Sequence, residues 1–175
     1  MILRACVFSW FCFCVFCVGS LDANDTQQLQ QLTFEESQRL TQDKSGRLLL
    51  DGLKTLSPKV ANELAKHEGW LSLNGLTEIS NEAAAALGQH KGCLPLNGLT
   101  KVSDEASKSI AGHRGELSLN GLTSISDEAA KALAKHSGGR LMLKGLTTLT
   151  GEAGKAFAQR KGGGPMNQML ARSGR

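Results

Sequence analysis

All four histidines of the chain fall at one interval. His67, His90, His113 and His136 are evenly spaced, and Arg160 follows at nearly the same step. Imidazole ligates metals as the neutral ring and titrates near neutral pH, so a strip of such rings along one edge of a fold would suit a metal or a proton signal. The competing reading is electrostatic. Each ring sits where a helix is expected to end, and a cation there interacts well with the helix dipole. Arg160 fills that role and cannot ligate a metal. No carboxylate or cysteine recurs beside the four rings. The sequence favours the dipole reading, so no metal ligand and no cofactor is assigned.

The other reactive side chains are equally uncooperative with catalysis. Ser126 and His136 recur together, but they bracket one short helix and stand about 15 Å apart at 1.5 Å per residue, too far for a nucleophile and its base. The chain has no G-x-S-x-G, no phosphate-binding glycine loop, no H-E-x-x-H and no paired cysteines beyond its N-terminal apolar run. Four of its five cysteines (Cys6, Cys12, Cys14, Cys17) lie in that run, where they act as small hydrophobes. Cys93 is the fifth. It is either an outward thiol open to an intermolecular disulfide or a passive half-buried one, and the second reading is favoured. Asn74, Asn97 and Asn120 each precede a glycine. They either present amides to a ligand or serve as turn residues, the more usual role of Asn-Gly. No enzyme is expected.

What positions these residues is a repeat. The stretch Leu117 to His136, LSLNGLTSISDEAAKALAKH, occurs in recognisable form five times, beginning at Leu48, Leu71, Leu94, Leu117 and Leu141. In each copy two leucines alternate with a single intervening residue, as in a short half-buried strand. An Asn-Gly or similar pair then turns the chain, with both residues expected to tolerate positive φ. A Ser or Thr follows as helix N-cap: Ser57, Ser80, Ser103, Ser126 and Thr150. Acidic residues occupy the first helical turn in most copies. The helix anchors are Leu64, Leu87, Ile110, Leu133 and Phe157, flanked by alanines that let helix and strands approach closely. Gly138 and Gly139 are expected to stop the fourth copy's helix in the left-handed conformation. Pro95 lies inside a predicted strand and removes a ladder donor, which marks a weak point or a bulge.

The 175 residues are 41% hydrophobic and 21% charged, with a net charge of +4, or +3 once Arg4 is set aside. That composition is globular or repetitive, not disordered. The basic residues are scattered among acids, so nucleic acid is not an expected partner. Residues 1–23 read as a secretory signal: a short basic start, an apolar run from Ala5 to Gly19, and small residues at Gly19, Ser20 and Ala23. The run is short for a membrane span, so a cleaved signal is favoured over a retained anchor, and no stable span is expected after its removal. Residues 24–47 read as a polar lead-in and an N-terminal capping helix, with Thr33 and Glu36 in capping-box spacing. Residues 48–161 hold the five repeats, and 162–175 form a Gly-rich basic tail.

The order L-x-L-x-x-(apolar)-x-x-I-S-D, followed by a helix with L-A, resembles the leucine-rich repeat, above all its cysteine-containing subclass. Leu117, Leu119, Leu122, Ile125, Ser126, Asp127, Ala130, Leu133 and Ala134 match that order without gaps. The resemblance covers residues 32–161 and is closest to Ala-rich variants of secreted bacterial proteins. Two departures stand out. The leucine three residues before each strand is polar here (Glu68, Lys91, Arg114), and the family's Cys or Asn is Leu. The second departure removes the side-chain hydrogen-bond ladder expected at that position.

The resemblance implies an α/β leucine-rich-repeat solenoid, with short parallel strands on one face and short helices on the other. It also implies protein binding through the outward strand positions. The candidate residues are Trp70, Ser72, Asn74, Cys93, Asn97, Glu116, Ser118, Asn120, Arg140 and Met142. Trp70 is the best anchor, because tryptophan is enriched in binding hot spots; the alternative is that it packs on Arg47 or Leu49. Strands about 4.8 Å apart make a face only about 20–25 Å long, which one interface of about 800 Å² would nearly fill. The expected function is therefore a non-catalytic secreted or cell-envelope binding module with a protein partner. The alternative is a structural envelope protein that self-associates through its repeats.

Overall fold

A computed structural model describes residues 31–42 and 46–159 of the chain. The signal and tail expected at residues 1–23 and 162–175, and Arg160, lie outside the described residues. The fold is α/β. Six short helices are described: α1 (Phe34–Leu40), α2 (Pro58–Leu64), α3 (Asn81–Leu87), α4 (Asp104–Ala111), α5 (Asp127–Ala134) and α6 (Gly151–Ala158). Between them run five very short strands: β1 (Arg47–Leu49), β2 (Trp70–Ser72), β3 (Leu94–Pro95), β4 (Leu117–Ser118) and β5 (Leu141–Met142).

The strands pair in parallel, each with the next in sequence. Leu48 sits opposite Leu71, Leu94 opposite Leu117, and Leu117 opposite Leu141. The sequence offset therefore reappears as the strand register. Two sheets form, β1-β2 and β3-β4-β5, joined by an isolated bridge between Trp70 and Cys93. The division falls at β3, where Pro95 has no N–H to give its neighbour. Each helix packs against the helix that follows it.

The core is a file of leucines between the two layers. Leu50, Leu53, Leu64, Leu71, Leu73, Leu76, Leu87, Leu94, Leu96 and Leu99 are fully buried, each worth about 1.5–3 kcal/mol of transfer free energy. The alanine faces do what small side chains allow: Ala61, Ala84 and Ala130 are fully buried between helix and strand layers. Each helix from α2 to α6 begins with a hydroxyl that accepts from the third backbone N–H beyond it, as Ser103 does from Ala106 at 3.1 Å. At the N-terminal end, Thr33 and Glu36 close a capping box on α1, and Ser37 on that helix is fully buried.

The Asn-Gly glycines depart from expectation. Positive φ occurs among the described residues at Gly46 (100°) and Gly139 (152°), not at Gly75, Gly98 or Gly121. Glycine is needed in the Asn-Gly pairs for closeness instead. A Cβ at Gly98 would run into the carbonyl oxygens of Asn74 and Leu76 in the preceding unit, and one at Gly121 into those of Asn97 and Leu99. Gly138 likewise lacks positive φ and lies against the backbone of His113 and Arg114, leaving Gly139 alone to take the turn.

Candidate functional site

Three columns of side chains run across the strands and the turns after them. The first holds Arg47, Trp70, Cys93, Glu116 and Arg140. The second holds Leu49, Ser72, Pro95, Ser118 and Met142. The third holds Asp51, Asn74, Asn97, Asn120 and Lys144.

The third column is a continuous hydrogen-bonded spine. Asp51 Oδ1 accepts from the backbone N–H of Asn74 at 2.9 Å. Asn74 Oδ1 accepts from the N–H of Asn97 at 3.0 Å, Asn97 Oδ1 from that of Asn120 at 3.0 Å, and Asn120 Oδ1 from that of Lys144 at 3.0 Å. These N–H groups lie just past the strand ends, where no ladder partner serves them, and a buried N–H left unpaired is costly. The residue types follow from the direction of the bonds. Asp51, at the head, only has to accept. Lys144, at the foot, only has to offer its backbone N–H.

The second column feeds the same spine. Ser72 Oγ donates to Asp51 Oδ1 (2.5 Å) and accepts from Asn74 Nδ2 (2.8 Å). Ser118 Oγ donates to Asn97 Oδ1 (2.6 Å) and accepts from Asn120 Nδ2 (2.9 Å). Where Pro95 replaces the serine, Asn97 Nδ2 turns directly to Asn74 Oδ1 at 2.8 Å. Ser72 and Ser118 were expected on the open face, but these bonds draw them in, to 2% and 5% exposure. Asn74, Asn97 and Asn120 are half-buried with their amides engaged. So a side-chain ladder is present after all, carried by the Asn of each Asn-Gly pair and not by the position where the family resemblance places it. The recurring Ser-Leu-Asn at residues 72–74 and 118–120 was the signal for it, and Asp51, which the sequence register places among the outward positions, heads it as an acceptor.

That leaves the first column as the accessible one. Arg47 and Arg140 are exposed; Trp70, Cys93 and Glu116 are half-buried, as are Leu49 and Met142 in the second column. The Arg47 guanidinium lies over the Trp70 ring, 5.0 Å from its centroid. Cys93 Sγ points at Glu116 Oε2, 3.8 Å away. Burial pushes the Cys93 thiol pKa up, and the Glu116 carboxylate pushes it further.

The histidines form a separate column behind the helix C-termini. His67, His90, His113 and His136 are 2%, 0%, 1% and 1% exposed. Their rings stack face to face, with centroids 6.3, 5.6 and 6.1 Å apart and planes within 7° of parallel. His90 Nε2 meets Gly69 O at 3.2 Å, His113 Nε2 meets Gly92 O at 2.9 Å, and His136 Nδ1 meets Ala111 O at 3.3 Å. Burial, above all, lowers the pKa of His90; burial and the neighbouring His90 lower that of His113 to about 4. These two rings are neutral at pH 7, which corrects the expectation that each histidine acts as a cation on a helix dipole. The reason is depth: the rings are enclosed between units rather than lying on the helix ends. Among the described residues no three His, Cys, Asp or Glu side chains gather as a metal site, and no helix is long and apolar enough to cross a membrane.

No protein-family model matches the chain, and no curated protein matches it.

Proposed function

We propose that this chain is a non-catalytic binding module of the leucine-rich-repeat kind, exported by its N-terminal segment, whose solenoid holds a protein partner on the outward strand face. The observation that supports the reading is the contrast between columns. The serine and asparagine columns are engaged in internal hydrogen bonds, whereas Arg47, Trp70, Cys93, Glu116 and Arg140 differ in chemistry and remain accessible. Variation along an otherwise regular face is what a specific interface needs. Trp70 and Arg47 belong to types enriched in hot spots, and their stacking at 5.0 Å removes part of the side-chain entropy that binding would otherwise cost.

The test is capture of a stoichiometric partner by wild-type chain, by Trp70→Ala and by the helix-face control Lys131→Ala. Loss with Trp70→Ala alone supports the strand face; equal capture by all three refutes it. Light scattering over a wide concentration range separates this reading from self-association. Reversible growth of the pure chain would put a structural role in the envelope first.

A further inference from the structure

Four imidazoles are enclosed in one stacked column, each contributed by a different copy of the repeat. We infer that this column is an acid release: protonation of its inner rings forces neighbouring units apart, so the fold is closed near neutral pH and loosens in mildly acidic surroundings.

The geometry carries the argument. A carbonyl oxygen only accepts, so the Nε2 of His90 and of His113 must bear the hydrogen directed at Gly69 O and Gly92 O. The other nitrogen of each ring, Nδ1, is buried and finds no hydrogen-bond partner. Protonating it adds a buried charge without a counter-ion, and the backbone carbonyls near the rings, those of Gly92 and His90 in the case of His113, offset only part of what burial costs. The ionisable group acting most on His90 is His67, and those on His113 are His90 and His136. The backbone carbonyls of His67, Gly69 and Cys93 favour the charged form of His90, but burial outweighs them. The charged side chains that flank the column in sequence are engaged elsewhere or lie outside it. Lys66 pairs with Glu63 at 2.7 Å and Lys91 with Glu68 at 3.6 Å, while Arg114 and Lys135 are exposed.

The sign follows from linkage. A histidine in the unfolded chain titrates near 6.5, while the enclosed His113 holds out to about 4. The unfolded state therefore binds more protons in that interval, and stability falls as pH drops below about 6.5. Once one ring is charged, its neighbours about 6 Å away are harder to charge in place. Opening relieves all of them together, which makes the response steep.

The experiment is denaturant unfolding of the full chain from pH 7.5 to 5. A midpoint constant above about pH 6.5 that falls steadily below it, with net proton uptake on unfolding at pH 5.5, is the expected result. Carboxylates, with reference pKa values of about 4, contribute little in this window. His90→Phe with His113→Phe keeps stacked rings and removes two titrating groups, and should at least halve the fall between pH 6.5 and 5.5. An undiminished fall overturns the inference. Should that variant not fold, ring titration of the wild-type chain by NMR decides: His113 still neutral at pH 5.5 and His90 titrating below the unfolded value support it, and four rings titrating near 6.5 with an unchanged amide spectrum refute it.

Discussion

Asn74 Oδ1 accepts two hydrogen bonds from Asn97, one from its backbone N–H at 3.0 Å and one from its Nδ2 at 2.8 Å. That doubled link spans the point where Pro95 interrupts the strand pairing. A side-chain spine thus reinforces the sheet at the place where the backbone is weakest.

Asn97→Ala should accordingly be among the more damaging half-buried substitutions. It leaves the Asn120 N–H and the Ser118 hydroxyl without their acceptor and removes the side-chain link to Asn74. With about 1–3 kcal/mol for each buried group left unsatisfied, a loss of about 2–4 kcal/mol is expected in urea unfolding. Asn97→Asp keeps the acceptor and should cost less.

Two glycines should respond to alanine with opposite signs. Gly98→Ala drives a methyl group into the carbonyls of Asn74 and Leu76, backbone that cannot step aside, and should cost about 1–3 kcal/mol or more. Gly151, in the first turn of α6, has nothing within 4 Å of its missing Cβ. Gly151→Ala should stabilise the chain by about 0.5 kcal/mol through the unfolded-state entropy it removes. Paired thermal melts read both.

Cys93 should be a slow thiol. Burial and Glu116 both hold its pKa above the ordinary value, so little thiolate is present at pH 8. Alkylation of the native chain should run several-fold slower than in denaturant, and Glu116→Gln should speed the native rate. Unchanged rates in Glu116→Gln would show that the carboxylate has no part in it.

Ser126 has two partners. Its Oγ accepts from Ala129 N at 3.0 Å and donates to Asp104 on the preceding helix. Ser126→Ala should cost about 1–2 kcal/mol, the range of a lost N-cap. A double-mutant cycle with Asp104→Ala isolates the inter-helix share, expected at about 0.5–1 kcal/mol.

The parts legible in the sequence were those fixed by local chemistry. The alternating leucines are buried, and Ser57, Ser80, Ser103, Ser126 and Thr150 all cap helices, because patterning and capping act within a few residues. What was hidden depended on the distance between units. The glycines after Asn74, Asn97 and Asn120 suggested unusual φ, yet their reason is the backbone of the preceding unit, pressed against each of them. The histidines follow the helix ends in sequence as expected, but sequence position gives no depth, and burial beside neighbouring histidines made His90 and His113 poor cations. Ser72 and Ser118 alternated like surface residues, and only their bonds to Asp51 and Asn97 show why they are enclosed.

The spine from Asp51 to Lys144 has a head that only accepts and a foot that only donates, and every rung between does both. An in-frame duplication of the segment from Asn97 to Leu119 would insert another rung of the same kind, with no new bond type to invent. Insertions of unrelated length would move the amides out of line with the N–H groups they serve. The offset of 24 between Asn120 and Lys144 shows that a single extra residue, taken up beside Gly139 at φ 152°, keeps the register. Length changes that keep the spine should therefore come in whole units, with a side-chain acceptor kept at the head and any residue with a backbone N–H allowed at the foot.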